Sequence, residues 1–374
     1  MCDNPDTLVF KGAGIKGISY IGVIRYYEEI GHNQIKVYSG SSSGSFISLM
    51  AILGYTSSEM LSEFVQTTCA ELLGNINSSS IPNLTRTIWT GWRLFGMTDG
   101  KAFEEKIKMY IEKKTKNPLI TFLELYQLTG KTLIVTGTCL NTDKVEYFNW
   151  RDTPNFPVYK AIRISQTLPP IISPVILTIK RELNVENIYC DDELLYSNQV
   201  ISDFLPETDT FEKWYVDGGL LDNYPIEYTC KFIGSQNTVI GFDIDTLHGG
   251  QPNDKITQYR TISRKWPWDY IKSAIFAQHI ELDRISKKCI STKMVPIIVD
   301  DIDIYSFDLT SSQIQKLYQD GYNSIKKYYS NLDNSNDDDS LFKFEKRINI
   351  NTKPNKRPGI DQTQTYSGSE WDTP

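Results

Sequence analysis

Histidine is nearly missing from this chain: 374 residues hold three, His32, His248 and His279. Cysteine is sparse too, and Cys2, Cys69, Cys139, Cys190, Cys230 and Cys289 are widely spaced with no CxxC pair. Neither pattern assembles the Cys/His set of a zinc site, so no metal is expected. Scattered thiols in a chain this long read as buried or idle groups in a reducing compartment. A basic excess is also lacking: 39 Lys and Arg face 46 Asp and Glu, for a net charge of −7. That balance disfavours nucleic acid as a partner. No apolar run reaches the roughly 18 residues of a membrane-spanning helix. The acidic opening Met1-Cys2-Asp3-Asn4-Pro5-Asp6 lacks the basic start and long apolar core of a secretory signal. The expected setting is therefore intracellular, soluble or peripherally membrane-associated, where the sequons at Asn77 and Asn83 have no use.

What is present is ordinary globular material, 40% hydrophobic and 23% charged, enough to bury a core. The first 55 residues read as β-α-β-α. Thr7 to Phe10 is an apolar strand, and Tyr20, Val23, Ile24, Tyr27 and Ile30 recur at helical spacing before Gly31. Lys36 to Ser39 is a second strand, and Phe46 to Leu53 a buried helix. Such alternation predicts an α/β fold with a parallel sheet covered on both faces. Further on, helices are expected from Thr56 to about Leu72, from Lys101 to Lys113 and around Ile314 to Ile325. Strands are expected at Thr132–Leu140, Val145–Phe148, Trp214–Val216 and Thr238–Phe242, while residues 183–212 lack clear periodicity and read as an excursion. From Asn331 onward the composition becomes that of a tail that buries little.

Three motifs carry chemistry. Gly40-Ser41-Ser42-Ser43-Gly44 is a GxSxG between a strand and a helix. Flanking glycines permit the sharp turn that presents Ser42 at a helix N-terminus, where free N–H groups favour a developing anion. A plain Ser/Gly turn is the bland alternative. Gly12-Ala13-Gly14-Ile15-Lys16-Gly17 is a GxGxxG after the first strand. A dinucleotide fingerprint would need an acidic residue at the tip of the next strand, which instead ends in Tyr38-Ser39-Gly40. Two readings remain: an oxyanion loop whose peptide N–H groups approach a tetrahedral intermediate with Lys16 nearby, or a tight packing loop. Asp217-Gly218-Gly219 ends a strand and precedes Asn223-Tyr224-Pro225. Asp217 is either a base able to take the Ser42 proton at the sheet's carboxyl edge, or part of an Asp-Gly turn.

In this order, GxGxxG, GxSxG and DGG with Asn-x-Pro, the chain resembles the patatin-like phospholipase family from about Thr7 to Ile226. Thr121-Phe122-x-x-Leu125, the Thr132–Leu140 strand and Ala161-Ile162-Arg163-Ile164-Ser165 running to Pro169 and Pro174 fit as well. The resemblance implies a three-layer α/β/α sandwich around a central, mostly parallel sheet. It implies Ser42 as nucleophile, Asp217 as general base in a dyad without histidine, and an oxyanion hole at Gly12, Ala13, Gly14 and Ile15. Lys16, Gly17, Gly40, Gly44, Gly218 and Gly219 complete the motifs. The implied substrate is a phospholipid or other glycerolipid met at a membrane surface, with no cofactor. Two departures stand out. Ala13 replaces the middle one of three glycines, and would be strained by about 1 kcal/mol or more if that position needs positive φ. The segment from Pro174 to Asp217 is longer than the usual connection, suiting a lid or binding surface.

The expected organisation is a catalytic domain at 7–228 with 183–212 inserted, residues 229–330 completing the core, and a disordered tail at 331–374. Trp266-Pro267-Trp268, or Ile88-Trp89 with Trp92 and Phe95, can rest on a membrane or simply pack. The basic cluster from Lys343 to Arg357 sits among acids and reads as a solvated tail. Two rivals remain. One is a Ser-Asp-His α/β-hydrolase using His248, with His279 a structural residue in a helix. The other is a non-catalytic scaffold that binds lipid or a partner.

Overall fold

A computed structural model of the chain describes residues 5–66, 98–169, 171–182, 185–199, 208–234, 238–246, 293–299, 302 and 309–335. Its strands are β1 (Thr7–Phe10), β2 (Val37–Gly40), β3 (Thr132–Cys139), β4 (Lys144–Phe148), β5 (Val175–Glu182), β6 (Val185–Cys190), β7 (Glu193–Gln199), β8 (Thr208–Asp217), β9 (Val239–Thr246) and β10 (Lys293–Val299). The helices are α1 (Ser19–Glu29), α2 (Ser43–Ile52), α3 (Ser57–Gln66), α4 (Lys101–Thr115), α5 (Phe122–Thr129), α6 (Val158–Ser165), α7 (Ile226–Ile233) and α8 (Ser311–Ser335).

The strands form one sheet in the order β10-β9-β1-β2-β3-β8-β5-β6-β7, with β4 paired to β3. From β10 to β3 every pairing is parallel. From β3 through β8 and β5 to β7 every pairing is antiparallel. The expected parallel centre is thus the part that carries the GxGxxG and GxSxG motifs, with an antiparallel extension beside it. The stretch read as an excursion supplies β6 and β7 to that extension. Their alternation was hard to see because both strands are half-exposed and interrupted by the Asp191-Asp192 turn, where both residues take positive φ.

Burial explains the parallel centre. All four residues of β1 are buried, as a strand covered on both faces requires. On one face Phe10 lies 5.0 Å from the ring of Tyr20 in α1. On the other, Val9 packs with Ile226 and Cys230 of α7. Helices therefore flank the sheet on both sides, the three-layer α/β/α sandwich. Full burial of each such apolar side chain contributes about 1.5–3 kcal/mol.

The compact unit runs from Met1 to Tyr329; a second unit, Ser330–Pro374, is described only to Ser335, where α8 ends. The chain remains helical four residues past Asn331, where the composition shifts. His248, His279, the Trp266–Trp268 and Ile88–Phe95 aromatics, the sequons and the Lys343–Arg357 cluster lie outside the described residues. Helix α3 is described to Gln66, so its expected continuation to Leu72 lies outside them too. Among the described residues no helix is long and apolar enough to cross a membrane, and no group of His, Cys, Asp or Glu could hold a metal ion.

Candidate active site

Strands β1 and β2 end in register, Phe10 opposite Gly40. The chain then turns into two motif loops at one sheet edge. In the GxSxG turn, Ser42 has φ 48° and ψ −129°, a conformation that costs a residue with a Cβ on the order of 1–3 kcal/mol. The turn is tight because neither flanking glycine has a side chain. A Cβ on Gly40 would come within 2.6 Å of the Ser45 nitrogen, and one on Gly44 within 2.9 Å of the Lys11 carbonyl oxygen. Ser41 points inward, fully buried, and its hydroxyl accepts from Thr136 Oγ1 at 2.8 Å. Ser42 is the N-cap residue of α2, and the N–H of Ser43 in the first turn has no acceptor among the described residues.

The sheet register brings Asp217 to the same level. Gly40 pairs with Val135, and two residues further along β3 Gly137 pairs with Asp217. Because β8 is antiparallel to β3, Asp217 closes a strand descending toward the edge, whereas β1 and β2 rise to it. The expectation of a strand tip at the carboxyl edge holds for position, but the strand runs opposite to the parallel set.

The Asp217 carboxylate is 2% exposed. It accepts the Gly219 N–H at 2.7 Å, and the Ser42 side chain is near enough to influence its titration. Burial pushes its pKa up to about 7, against smaller lowering contributions from the Gly219 N–H and the Ser42 hydroxyl. A buried carboxylate without a cation at its side holds its proton more tightly than one in water. Gly218 and Gly219 are both buried.

The GxGxxG loop is fastened at its start. Lys11 makes a buried ion pair with Asp243 at 2.9 Å, and its carbonyl accepts from Tyr20 at 2.7 Å. Gly12 and Asn223 then bond twice, Gly12 N–H to the Asn223 carbonyl at 2.9 Å and Asn223 Nδ2 to the Gly12 carbonyl at 3.0 Å. Ala13 donates to Ser43 Oγ at 3.1 Å. Its φ is −146°, so the expected strain at Ala13 does not arise. The positive φ falls at Gly14, at 54°, where a missing Cβ removes the penalty. The N–H groups of Gly14 and Ile15 have no acceptor among the described residues. Lys16 is buried in the following 3-10 turn, and Gly17 packs against the Ser43 hydroxyl.

Several residues at this site were not singled out for a role from sequence. Ser165 Oγ accepts the Ser42 N–H at 2.9 Å, and Gln166 Nε2 donates to the Ser42 carbonyl at 2.6 Å. The Thr167 carbonyl accepts the Asp217 N–H at 2.8 Å. Arg163, buried, donates to Thr167 Oγ1 and to the carbonyls of Asp99 and Ser173 at 2.8 and 3.1 Å. The Ala161–Ser165 stretch and Asn223 were visible as motif positions, but spacing along the chain carries no information about which backbone groups they reach.

The family profile described as Patatin-like phospholipase matches residues 8–229. The chain belongs to the patatin-like phospholipase family, and so to the lipid acyl hydrolases. It is 24% identical over 232 residues to a probable lipid hydrolase of Invertebrate iridescent virus 6, covering 62% of this chain and 65% of that protein. It is 26% identical over 332 residues to an uncharacterized protein of Acanthamoeba polyphaga mimivirus, covering 87% of this chain and 94% of the relative. Among solved structures, VipD from Legionella pneumophila is similar with a TM-score of 0.48 at 14% identity, covering 87% of this chain and 66% of VipD.

Proposed function

We propose that this chain hydrolyses acyl ester bonds of glycerolipids, phospholipids in the first instance, through a Ser42–Asp217 dyad and an acyl-enzyme. The observation that carries this reading is a buried Asp217, its pKa pushed up to about 7, with the Ser42 side chain near enough to lower that pKa. An ordinary aspartate near 3.9 is too weak a base at neutral pH. One near 7 matches the pH at which it would work, and a positioned base contributes about 10²–10⁴-fold.

In the first half-reaction Ser42 Oγ bonds to the ester carbonyl carbon while its proton passes to Asp217. The carbonyl oxygen becomes an oxyanion, received by the unpaired N–H groups of Gly14, Ile15 and Ser43. Each such donor is worth about 10²–10³ in rate. Ala13 joins them when Ser43 Oγ releases its N–H. Gly12, whose N–H is held by Asn223, keeps the loop close to Ser42 instead. The tetrahedral intermediate expels the lyso-lipid alkoxide, which takes the proton from Asp217. Water then attacks the acyl-enzyme, giving its proton to Asp217, and fatty acid leaves as Ser42 recovers its hydrogen.

A long-chain fluorophosphonate tests the reading. Wild type labelled at Ser42, Ser42→Ala unlabelled, and fatty acid released from phosphatidylcholine vesicles by wild type alone is the expected result. A well-folded wild type that is neither labelled nor active would favour the binding scaffold. In the dyad reading no imidazole takes part, so His248→Ala retains turnover; its loss would favour the Ser-Asp-His alternative.

A further inference from the structure

We propose that Ser165 and Gln166 are positioning residues that hold Ser42 in its strained conformation and set its hydroxyl against Asp217. The proposal rests on the dyad reading and adds the element that maintains it.

Ser42 adopts positive φ with a side chain attached, so its peptide groups relax unless something outside the turn holds them. Two groups from the end of α6 do so. Ser165 Oγ takes the Ser42 N–H at 2.9 Å, a group at the helix N-terminus that the helix itself leaves unpaired. Gln166 Nε2 reaches the Ser42 carbonyl at 2.6 Å. That carbonyl also receives Ser45 Oγ at 2.6 Å and the backbone N–H groups of Ser45 and Phe46. Those donors belong to the same helix and turn with it. Gln166 is the contact that ties the carbonyl to a different element.

The next residue completes the device. The Thr167 carbonyl accepts the Asp217 N–H at 2.8 Å. Three consecutive residues therefore grip the backbones of both dyad members, so the Ser42–Asp217 spacing is set by one short piece of chain. Arg163 anchors that piece from behind, donating to Thr167 Oγ1 and bridging to the Asp99 and Ser173 carbonyls. Ser165 is fully buried, whereas Gln166 is only half-buried. A half-buried side chain contributes less to packing than a core residue does, and its amide bonds the turn that carries Ser42.

The test uses the full chain with Gln166→Met, which keeps length and packing but lacks the donor, and Ser165→Ala. Second-order phosphonylation of Ser42 and hydrolysis of a p-nitrophenyl ester are measured against pH, beside thermal unfolding. Misplacement of a reacting group costs on the order of tenfold to a hundredfold. Gln166→Met is expected to lose about tenfold or more in phosphonylation rate and kcat, with KM within about twofold and Tm near wild type. Because the nearby Ser42 hydroxyl lowers the Asp217 pKa, drift of Ser42 should also move the acid limb of the rate profile to higher pH. A packing role alone would leave that limb in place. Wild-type rates and an unmoved limb in Gln166→Met overturn the proposal, even should Ser165→Ala fail to fold. A wild type that reacts at Ser42 while Gln166→Met reacts equally fast removes the clamp and leaves the dyad. A wild type that does not react at Ser42 removes both.

Discussion

The side chain of Ser42 lies beside the carboxylate of Asp217 and lowers its pKa, although one residue opens α2 and the other closes an antiparallel strand across the sheet. The register of β3 with its two neighbours explains the meeting: Gly40 is opposite Val135, and Asp217 is opposite Gly137. Shifting β8 by a single residue would turn the carboxylate to the other face. The proximity of these two residues is thus a property of strand pairing as much as of either motif.

The strain at Ser42 predicts an asymmetry between two variants at that position. Ser42→Ala keeps a Cβ at φ 48°, whereas Ser42→Gly removes it. The glycine variant should be more stable than the alanine variant by about 1 kcal/mol, measurable by urea denaturation. Equal stabilities would show that the turn is not strained.

Asp217 links activity to stability. Folding raises its pKa, so the folded chain binds this proton more tightly than the unfolded chain does. The resulting stabilisation is complete below the unfolded value and is lost as pH rises through about 7. Asp217→Asn keeps the shape without the charge. At pH 8 it should be more stable than wild type by about 2–4 kcal/mol, and the gap should close toward pH 4. Catalysis should meanwhile fall by about 10³-fold or more. Melting temperatures across this pH range decide it; a gap that does not change with pH refutes the burial of an ionised carboxylate.

The rate profile follows from the same group with opposite consequence. In the proposed mechanism Asp217 must be ionised, so kcat/KM should rise about tenfold per pH unit below the pKa and level off above about 7. A limb centred near 4 on a soluble ester would mean that Asp217 is solvated in the working enzyme.

Asn223 should matter for rate more than for affinity. Its side chain holds the Gly12 carbonyl at 3.0 Å, and a Cβ on Gly12 would sit 3.1 Å from that of Ser42. Asn223→Ala loosens the loop beside the nucleophile. It should lower kcat about tenfold with KM little changed, and cost about 1 kcal/mol of stability. A variant changed only in KM would place Asn223 in substrate binding instead.

Arg163 is buried and bonds Thr167 Oγ1 and the Asp99 and Ser173 carbonyls. Arg163→Leu leaves the buried Ser173 carbonyl without this donor, at about 1–3 kcal/mol, while Thr167 Oγ1 keeps its bond to the backbone carbonyl of residue 163. Loss of about 1–3 kcal/mol is expected in denaturant titration, and a change under about 0.5 kcal/mol would show that other donors replace it.

How much of this was legible in the chain differs from residue to residue. The β1-loop-α1 and β2-turn-α2 units were legible because they are local: four apolar residues, glycines at the turns and helical spacing suffice. The turn that presents Ser42 was legible for the same reason. Asp217 could be named only beside the ordered set of motifs, since Asp-Gly alone marks any turn. Strands β6 and β7 were not legible, because half-exposed edge strands show no clean alternation. Nor was the division of the loop's N–H groups, in which Asn223 and Ser43 occupy those of Gly12 and Ala13 and leave those of Gly14 and Ile15.

By itself the amino-acid order determined the elements with short-range causes: an apolar strand, a glycine-flanked turn, an amphipathic helix, and the residue types able to carry acyl transfer. Tertiary structure decided what those residues experience. A carboxylate becomes a base near neutrality only when distant segments remove water from it, and a serine stays strained only when another element grips its backbone. Both effects act over a few ångströms between residues far apart in the chain, a scale at which sequence separation carries no weight.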